Sequence, residues 1–128
     1  MSLRVGVLMG GGSEEREVSI ATGKAVIKAC AENGYVATEF VFDTNYKKYL
    51  KELKKQNIIF NALHGGIGEN GKIQEWLDEN DIKYTGSGAI ASSLCMDKAA
   101  SKKIAKRNGI ETPDWQLIQR LDQDVKIT

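Results

Sequence analysis

Hydrophobic residues occur along the chain in short blocks whose spacing alternates between strand-like and helix-like. An apolar, β-branched block at residues 3–9 stops at three consecutive glycines and predicts the first strand. Ser13 suits the N-cap of a helix that closes at Asn33 and Gly34. Small and apolar residues recur at helical spacing through that segment: Val18, Ala21, Ala25 and Ala29. The chain therefore opens with a strand followed by a helix.

The same alternation continues to residue 63. Residues 35–42 are aromatic and β-branched and predict a second strand. An amphipathic helix follows, with one apolar face: Tyr46, Tyr49, Leu50 and Leu53. Its other face carries lysines, which we interpret as solvated: Lys47, Lys48, Lys51, Lys54 and Lys55. Residues 58–63 are almost continuously apolar and predict a parallel strand, covered on both faces and central to the sheet.

Shorter elements follow. A short helix carries an apolar face formed by three residues: Ile73, Trp76 and Leu77. A brief strand is predicted at residues 83–85. A helical stretch over residues 89–105 is broken near Asp97 and ends at Asn108 and Gly109.

Four strands that alternate with helices predict an α/β fold with an open, mostly parallel, doubly wound sheet of Rossmann-like type and helices on both faces. In such sheets ligands bind beyond the carboxyl ends of the strands. The glycine-rich and polar clusters fall at those ends: residues 10–15, Asp43, residues 64–71 and residues 86–88. Topology alone therefore predicts a ligand site at this edge.

The C-terminal residues follow another pattern. Pro113, the only proline, precedes a strand-like piece at residues 114–118 with no helix after it to cover it. Apolar side chains in this segment lack a predicted core: Trp115, Leu117, Ile118, Val125 and Ile127. We therefore expect residues 1–96 to form one domain and residues 97–128 to begin a second, incomplete one.

Length and charge narrow the class of function. The 128 residues suit one domain, and a formal net charge of +1 gives no basic surface for nucleic acid. No apolar stretch approaches the roughly 20 residues that a bilayer requires. Cys30 and Cys95 are too few and too distant for a disulfide framework or a metal cluster. We interpret them as buried small residues of a reduced cytoplasmic protein.

The glycine loop before the first helix could cradle a phosphate through its free amides. Glu14 and Glu15 follow it directly, however, and each carboxylate would repel a phosphate by on the order of 1 kcal/mol. The helix start therefore favours a cation such as a ligand's ammonium group. The alternative is that both glutamates only complement the helix dipole, worth about 0.3–1 kcal/mol each.

Two other polar residues lie at predicted strand ends. Asp43 stands where dinucleotide-binding domains keep a ribose-binding acid. The glycine loop lacks the third glycine of their fingerprint, however, and this disfavours a nicotinamide dehydrogenase. We therefore interpret Asp43 as a turn or helix-cap residue. His64 is the only histidine, and Glu69 follows it in a glycine-rich loop. Structural and functional roles for His64 are equally supported, whereas a lone histidine does not indicate a metal site.

Three segments, in their order and spacing, resemble the D-alanine–D-alanine ligases, an ATP-grasp family. They are Gly10-Gly11-Gly12-Ser13-Glu14-Glu15-Arg16-Glu17-Val18-Ser19, then Asn61-Ala62-Leu63-His64-Gly65 with Gly68-Glu69-Asn70-Gly71 and Gln74, then Tyr84-Thr85-Gly86-Ser87-Gly88 with Ala91-Ser92 and Met96-Asp97-Lys98. Gly109, Pro113 and Trp115 extend the match. In this family ATP phosphorylates the carboxylate of one D-alanine, and the amine of a second attacks the acyl phosphate. The product is D-Ala-D-Ala for peptidoglycan.

The resemblance also implies roles for individual residues. Glu15 is expected to act in catalysis by binding the ammonium of the first D-alanine, in agreement with the charge argument. Val18 packs near the methyl group of that substrate, and His64 helps to orient the pocket. The implied backbone lining is Gly86, Ser87 and Gly88. Lys98 is expected to reach the phosphates of ATP.

Other expectations follow from the resemblance. Residues 1–96 correspond to a substrate-binding, pre-ATP-grasp domain and residues 97–128 to the beginning of the ATP-grasp central domain. Most of the ATP site and the ligands of Mg2+ (or Mn2+) belong to later domains of the family, so no metal ligand is expected here and the chain alone should be inactive. The implied partners are two D-alanines, ATP and a second copy, with no nucleic acid or membrane, in the bacterial cytoplasm.

Two positions depart from the family pattern. Gly12 replaces a residue that is more often threonine or lysine, and Asn70 stands where aspartate is common, so no catalytic role is assigned to Asn70. Two alternatives stay open at this point. One is a D-alanine–D-lactate or other ATP-grasp ligase, and the other is a stand-alone binding domain that kept the fold and lost catalysis.

Overall fold

A computed structural model describes residues 2–120 and 122–125. Ile127, one of the apolar residues predicted to lack a core, lies outside the described residues. Three strands are present: β1 (Arg4–Gly10), β2 (Val36–Phe42) and β3 (Ile58–Asn61). The helices are α1 (Arg16–Glu32), α2 (Leu50–Leu53), α3 (Lys72–Glu79), α4 (Ala89–Met96) and α5 (Lys98–Arg107). Single 3-10 turns occupy Tyr46–Tyr49 and Gly66–Gly68.

The sheet is parallel, with strand order β2-β1-β3, which confirms the predicted fold class. The prediction that β3 is the central strand was wrong, because β1 pairs with a strand on each side. The strand predicted at residues 83–85 is reduced to one parallel bridge between Ile59 and Tyr84. Pairing stops there because the chain turns at Gly86, whose φ of 98° is left-handed.

Helices cover both faces of the sheet. On one face α1 packs over the side chains that β1 presents to it, with Val5, Val7 and Met9 buried. Leu8 points to the other face, as the two-residue period of a strand requires. There it joins buried residues of β2, β3 and the helices α2 and α3: Phe40, Phe42, Leu53, Ile59, Ile73, Trp76 and Leu77.

The first helix begins later than predicted. Ser13 is not its N-cap: α1 starts at Arg16, and Glu15 occupies the cap position without a side-chain cap bond. Left-handed backbone at Gly10 and Gly11 (φ 89° and 85°) directs residues 13–15 into a turn instead of a helix. The predicted end of the helix is confirmed, since Gly34 adopts a φ of 75° directly after the cap residue Asn33.

The break near Asp97 is also confirmed. Asp97 is extended (ψ 96°) between α4 and α5, and its carboxylate accepts the Ala100 amide at 2.9 Å as the cap of α5. Residues 111–119 form no strand, in contrast to the prediction for residues 114–118. The apolar side chains of this segment are exposed: Trp115, Leu117 and Ile118. Val125 is exposed as well.

Two smaller points concern single side chains. The prediction that both cysteines are buried was wrong for Cys95, which is exposed on α4, whereas Cys30 is half-buried against the α1 face of the core. All five lysines of the second helical segment are exposed, as predicted.

Among the described residues, no helix combines the length and the apolar character that a membrane crossing requires.

Candidate functional site

The carboxyl ends of β1 and β3 are joined by one buried hydroxyl. Ser19 on α1 is wholly buried, and its Oγ accepts the Gly10 amide at 2.9 Å and donates to the Ala62 carbonyl at 2.7 Å. This bridge fixes the separation between the loops that follow the two strands. The sequence had assigned Ser19 no role.

A cation makes the corresponding link to β2. Arg16 Nη1 donates to the Gly11 carbonyl at 2.8 Å and to the Phe42 carbonyl at 2.7 Å. The guanidinium therefore binds carbonyls of the β1 loop and of the end of β2. Arg16 thus anchors the turn that precedes α1 to the end of β2, and Ser19 links the start of α1 to the residue after β3.

Ser13 connects this turn to the loop after β3. Its Oγ donates to the His64 carbonyl at 2.6 Å and accepts the Glu15 amide at 3.2 Å. The hydroxyl that sequence reasoning placed at a helix cap thus holds the backbones of Glu15 and His64 together.

The side chains of Glu15, His64 and Glu69 converge at this point. A carboxylate oxygen of each glutamate and a ring nitrogen of His64 all lie within 4.8 Å of one another. Both glutamates are exposed and His64 is half-buried. Gly65 has a left-handed φ of 65°, which favours glycine, and a β-carbon there would lie 3.2 Å from a Glu15 carboxylate oxygen, tighter than an ordinary contact. We call these three residues the Glu15 cluster.

Two residues of α1 extend the cluster. Thr22 Oγ1 lies 3.1 Å from His64 Nε2, a contact that the sequence did not predict. Val18 lies between Glu15 and Thr22 on the same helical face and is 57% exposed. An apolar side chain is therefore open to solvent about one helical turn after Glu15.

The glycine-rich loop after β3 is held from beneath by two amides. Asn61 Nδ2 and Gln74 Nε2 both donate to the Gly68 carbonyl, at 3.0 and 2.9 Å. Asn61 Oδ1 also accepts the Leu63 amide at 3.1 Å. These bonds fix the loop that presents His64 and Glu69.

Next to the cluster lies a cavity of about 330 Å³. Loops after all three strands line it, through residues 11–13, 43, 44, 46 and 63–68. Ser13, His64 and Gly65 belong to its wall, whereas Glu15 lies beside the cavity. Glu15 is thus close to a cavity that His64 borders, although its carboxylate is exposed.

Asp43 borders this cavity in a turn, as predicted. Its Oδ1 accepts the Asn45 amide at 2.7 Å and its Oδ2 accepts Lys48 Nζ at 2.8 Å. The hydrogen bond from Lys48, followed by that from the Asn45 amide, lowers the pKa of the Asp43 carboxyl. The same contact raises the pKa of Lys48. Lys48 therefore balances the charge of Asp43, while the Glu15 cluster has no cation of its own among the described residues.

The remaining predicted site residues lie apart from the cluster. Gly86 and Ser87 border a second, open cavity of about 590 Å³ that Glu69 also lines, and Gly88 lies outside its wall. Lys98 is exposed at the first residue of α5 and borders neither cavity. The structure therefore brings Glu15 and His64 together and places Val18 about one helical turn after Glu15, whereas Gly88 and Lys98 border neither cavity.

The Glu15 cluster suits a cation. Among the described residues, no lysine or arginine pairs with the two neighbouring carboxylates, and a bound positive charge relieves their repulsion. The cluster is the one group of three ligand-type side chains that converge in the described part of the chain. It mixes an imidazole with carboxylates, whereas Mg2+ prefers an octahedron of oxygens. An ammonium group, which donates up to three hydrogen bonds to carboxylate or imidazole acceptors, matches the cluster better.

Comparison of the sequence with known proteins finds similar D-alanine–D-alanine ligases. A D-alanine–D-alanine ligase from Pelotomaculum thermopropionicum is 48% identical over 120 residues, which are 94% of this chain and 37% of that protein. One from Aquifex aeolicus is 49% identical over 114 residues, 89% of this chain and 39% of the relative. No protein-family model matches the chain.

Solved structures of D-alanine–D-alanine ligases are also similar to this chain. The crystal structure of D-alanine–D-alanine ligase from Bacillus anthracis complexed with ATP superposes with a TM-score of 0.86 at 37% identity. The match covers 98% of this chain and 41% of that one. The chain thus spans about two fifths of the length of these proteins, at their N-terminal part.

Proposed function

Because this chain belongs to the D-alanine–D-alanine ligase family, we propose that it carries the binding site for the first D-alanine of an ATP-dependent ligase that makes D-Ala-D-Ala. The observation that carries the proposal is the convergence of Glu15, His64 and Glu69 within 4.8 Å at the carboxyl edge of the sheet. This is the edge at which open α/β sheets bind ligands.

Each side chain has a separate task in this proposal. Glu15 accepts hydrogen bonds from the substrate ammonium and neutralises its charge, and Glu69 adds a second carboxylate to the same field. Val18, exposed on the same helical face, packs against the methyl group. His64 presents a ring nitrogen to the ligand while its backbone is held by Ser13. Together these groups orient a small zwitterion for attack on its activated carboxyl group.

ATP supplies the phosphoryl group that activates that carboxyl group. In this chain Lys98 offers one exposed cation at the start of α5. One lysine without a surrounding phosphate-binding loop does not make an ATP site. We therefore propose that Lys98 contributes to a phosphate site formed mainly by residues beyond this stretch. We propose that Gly86, Ser87 and Gly88 lie at the border between this phosphate site and the substrate site.

Mg2+ does not fit the Glu15 cluster, because one of the three donors is an imidazole. We therefore propose that the ligands of the metal lie outside this cluster. We propose the domain division suggested by sequence, with residues 1–96 as the substrate domain and residues 97–128 as the start of the nucleotide domain. The extended residue Asp97 between α4 and α5 supports that boundary.

The wider setting is proposed on the same basis. The relatives are named D-alanine–D-alanine ligases. Because the resemblance to this family implies a dipeptide for peptidoglycan, we propose a role in peptidoglycan synthesis in the bacterial cytoplasm. We also propose that the complete enzyme is a homodimer that contacts its partner through this domain.

The proposal is tested by titrating D-alanine into the 15N-labelled chain and following its amide resonances. We expect saturable shifts at residues 13–16, at residues 64–66 and at Glu69, and smaller shifts with L-alanine. Shifts confined to other surfaces, or none up to tens of millimolar D-alanine, would contradict the assignment. A parallel titration with Zn2+ distinguishes an ammonium site from a metal site, since only the metal should bind tightly if the cluster is a metal centre.

A further inference from the structure

The imidazole of His64 is held by a residue outside the motifs that identify the family. Thr22 lies two helical turns after Glu15 on α1, and its Oγ1 is 3.1 Å from His64 Nε2. The two residues are 42 positions apart in sequence, so the fold alone brings them together. The contact is partly buried, which shields it from competing water.

Ring orientation matters because the two imidazole nitrogens are not equivalent. In neutral imidazole one nitrogen donates and the other accepts, and the hydrogen bond made by one of them decides which carries the proton. A hydroxyl can serve either state, since it both donates and accepts. Ser13 fixes the backbone of His64 but leaves rotation of the ring free. Within the described residues, Thr22 makes the side-chain hydrogen bond that restrains the ring.

We infer that Thr22 is the positioning residue for His64, holding Nε2 so that the ring keeps one orientation and one neutral tautomer beside Glu15 and Glu69. The inference deepens the proposed function and rests on it for its effect on D-alanine. The hydroxyl itself does not touch the substrate. Without it the ring is free to rotate and to exchange tautomers, and part of the population no longer presents the required nitrogen.

The test uses the complete 128-residue chain labelled with 15N. Because His64 is the only histidine, its two ring nitrogens can be observed without ambiguity. Spectra are recorded in mildly alkaline solution, where imidazole is neutral. The variants are T22V, which removes the hydroxyl at nearly constant shape, and T22S, which keeps it. T38V, at an exposed position of β2, is the matched control.

In the wild-type chain, T22S and T38V we expect two widely separated ring nitrogen shifts, the signature of one tautomer. In T22V the two shifts should move toward each other. The dissociation constant for D-alanine should rise about three- to tenfold in T22V, because losing the hydrogen bond lowers the fraction of chains whose ring is in the binding-competent state. It should stay within about twofold in T22S. If T22V fails to fold, T22A serves in its place, since the smaller side chain cannot clash.

Unchanged ring shifts in T22V, or equal losses in T22V and T22S, would overturn the inference. Altered ring shifts with unchanged D-alanine affinity would also overturn it, because the orientation would then have no effect on binding. If the wild-type chain binds no D-alanine, the proposed function fails, and the ring spectra still decide whether Thr22 sets the tautomer.

Discussion

Ser19 Oγ donates a 2.7 Å hydrogen bond to the carbonyl of Ala62, from the helix that starts at the site to the strand that ends there. The same oxygen accepts the amide of Gly10. One small, buried side chain therefore connects β1, α1 and the residue that follows β3.

Replacing Ser19 by alanine should lower the free energy of unfolding by about 1–3 kcal/mol. The substitution leaves a buried amide and a buried carbonyl without their partner. Chemical denaturation of the variant and of the wild-type chain measures the difference. Ser101→Ala, on α5 away from the sheet, is the control and should change stability by less than about 0.5 kcal/mol. Equal stability of S19A and the wild type would show that the bridge contributes nothing.

A close approach of α1 to β1 makes a second prediction. A β-carbon at Gly23 would lie 2.6 Å from Met9 Cε and 2.7 Å from Met9 Cβ. Gly23→Ala should therefore destabilise the fold by about 1–3 kcal/mol through overpacking, despite the higher helix propensity of alanine. Gly12→Ala, where no atom lies within 4 Å of the new β-carbon, is the matched control. A thermal melt in which G23A is at least as stable as G12A would disprove this packing.

The Asp43–Lys48 pair should make stability depend on pH in acid. The pKa of Asp43 is lowered in the folded chain, mainly by Lys48. Its stabilising effect is therefore complete above the unfolded pKa of about 4 and disappears as the pH falls through the lowered value. Lys48→Met should unfold more readily than the wild type at neutral pH, and the difference should vanish in strong acid. Because both side chains are well exposed, the effect should be small and should shrink with added salt.

Catalysis should require more than this stretch of chain. Phosphoryl transfer needs a clamp on the metal and the phosphates, and of that clamp we propose only Lys98 in this chain. We expect no D-alanine-dependent ATP hydrolysis from the purified chain. Grafting it in place of the matching segment of the Pelotomaculum ligase should give an active chimera. Activity of the chain alone, or a folded but inactive chimera, would contradict these assignments.

Local sequence patterns predicted most of the scaffold. The order of strands and helices up to α3, the two-sided core and the break at Asp97 follow from spacing and capping residues, which act over a few positions. The position of β1 at the centre was missed because strand order is decided by crossovers and not by the hydrophobicity of one strand. The extent of strand pairing at residues 83–85 was overestimated for a related reason, since the local sequence of a three-residue segment does not report how far its pairing extends.

The candidate site was predictable in part. Glu15 and His64 stood out because both lie at strand ends that a parallel sheet brings to one edge. Ser19 and Thr22 were missed because small hydroxyl residues within a helical pattern carry no distinctive signal. Their roles depend on partners more than 40 positions away, which become neighbours only in the folded chain. Ser13 was correctly marked as a hydrogen-bonding residue but given the wrong partner.

The proposed function requires that the Glu15 carboxylate bind the ammonium of D-alanine. The neighbouring residue supplies a closely matched control, because Glu14 is exposed, has the same charge and lies outside the Glu15 cluster. Calorimetric titration of D-alanine into the chain should give a dissociation constant at least about tenfold weaker for Glu15→Gln, since a charge-assisted hydrogen bond contributes about 1.5–3 kcal/mol. Glu14→Gln should bind within about twofold of the wild type. Equal weakening by the two substitutions, or none by Glu15→Gln, would contradict the account.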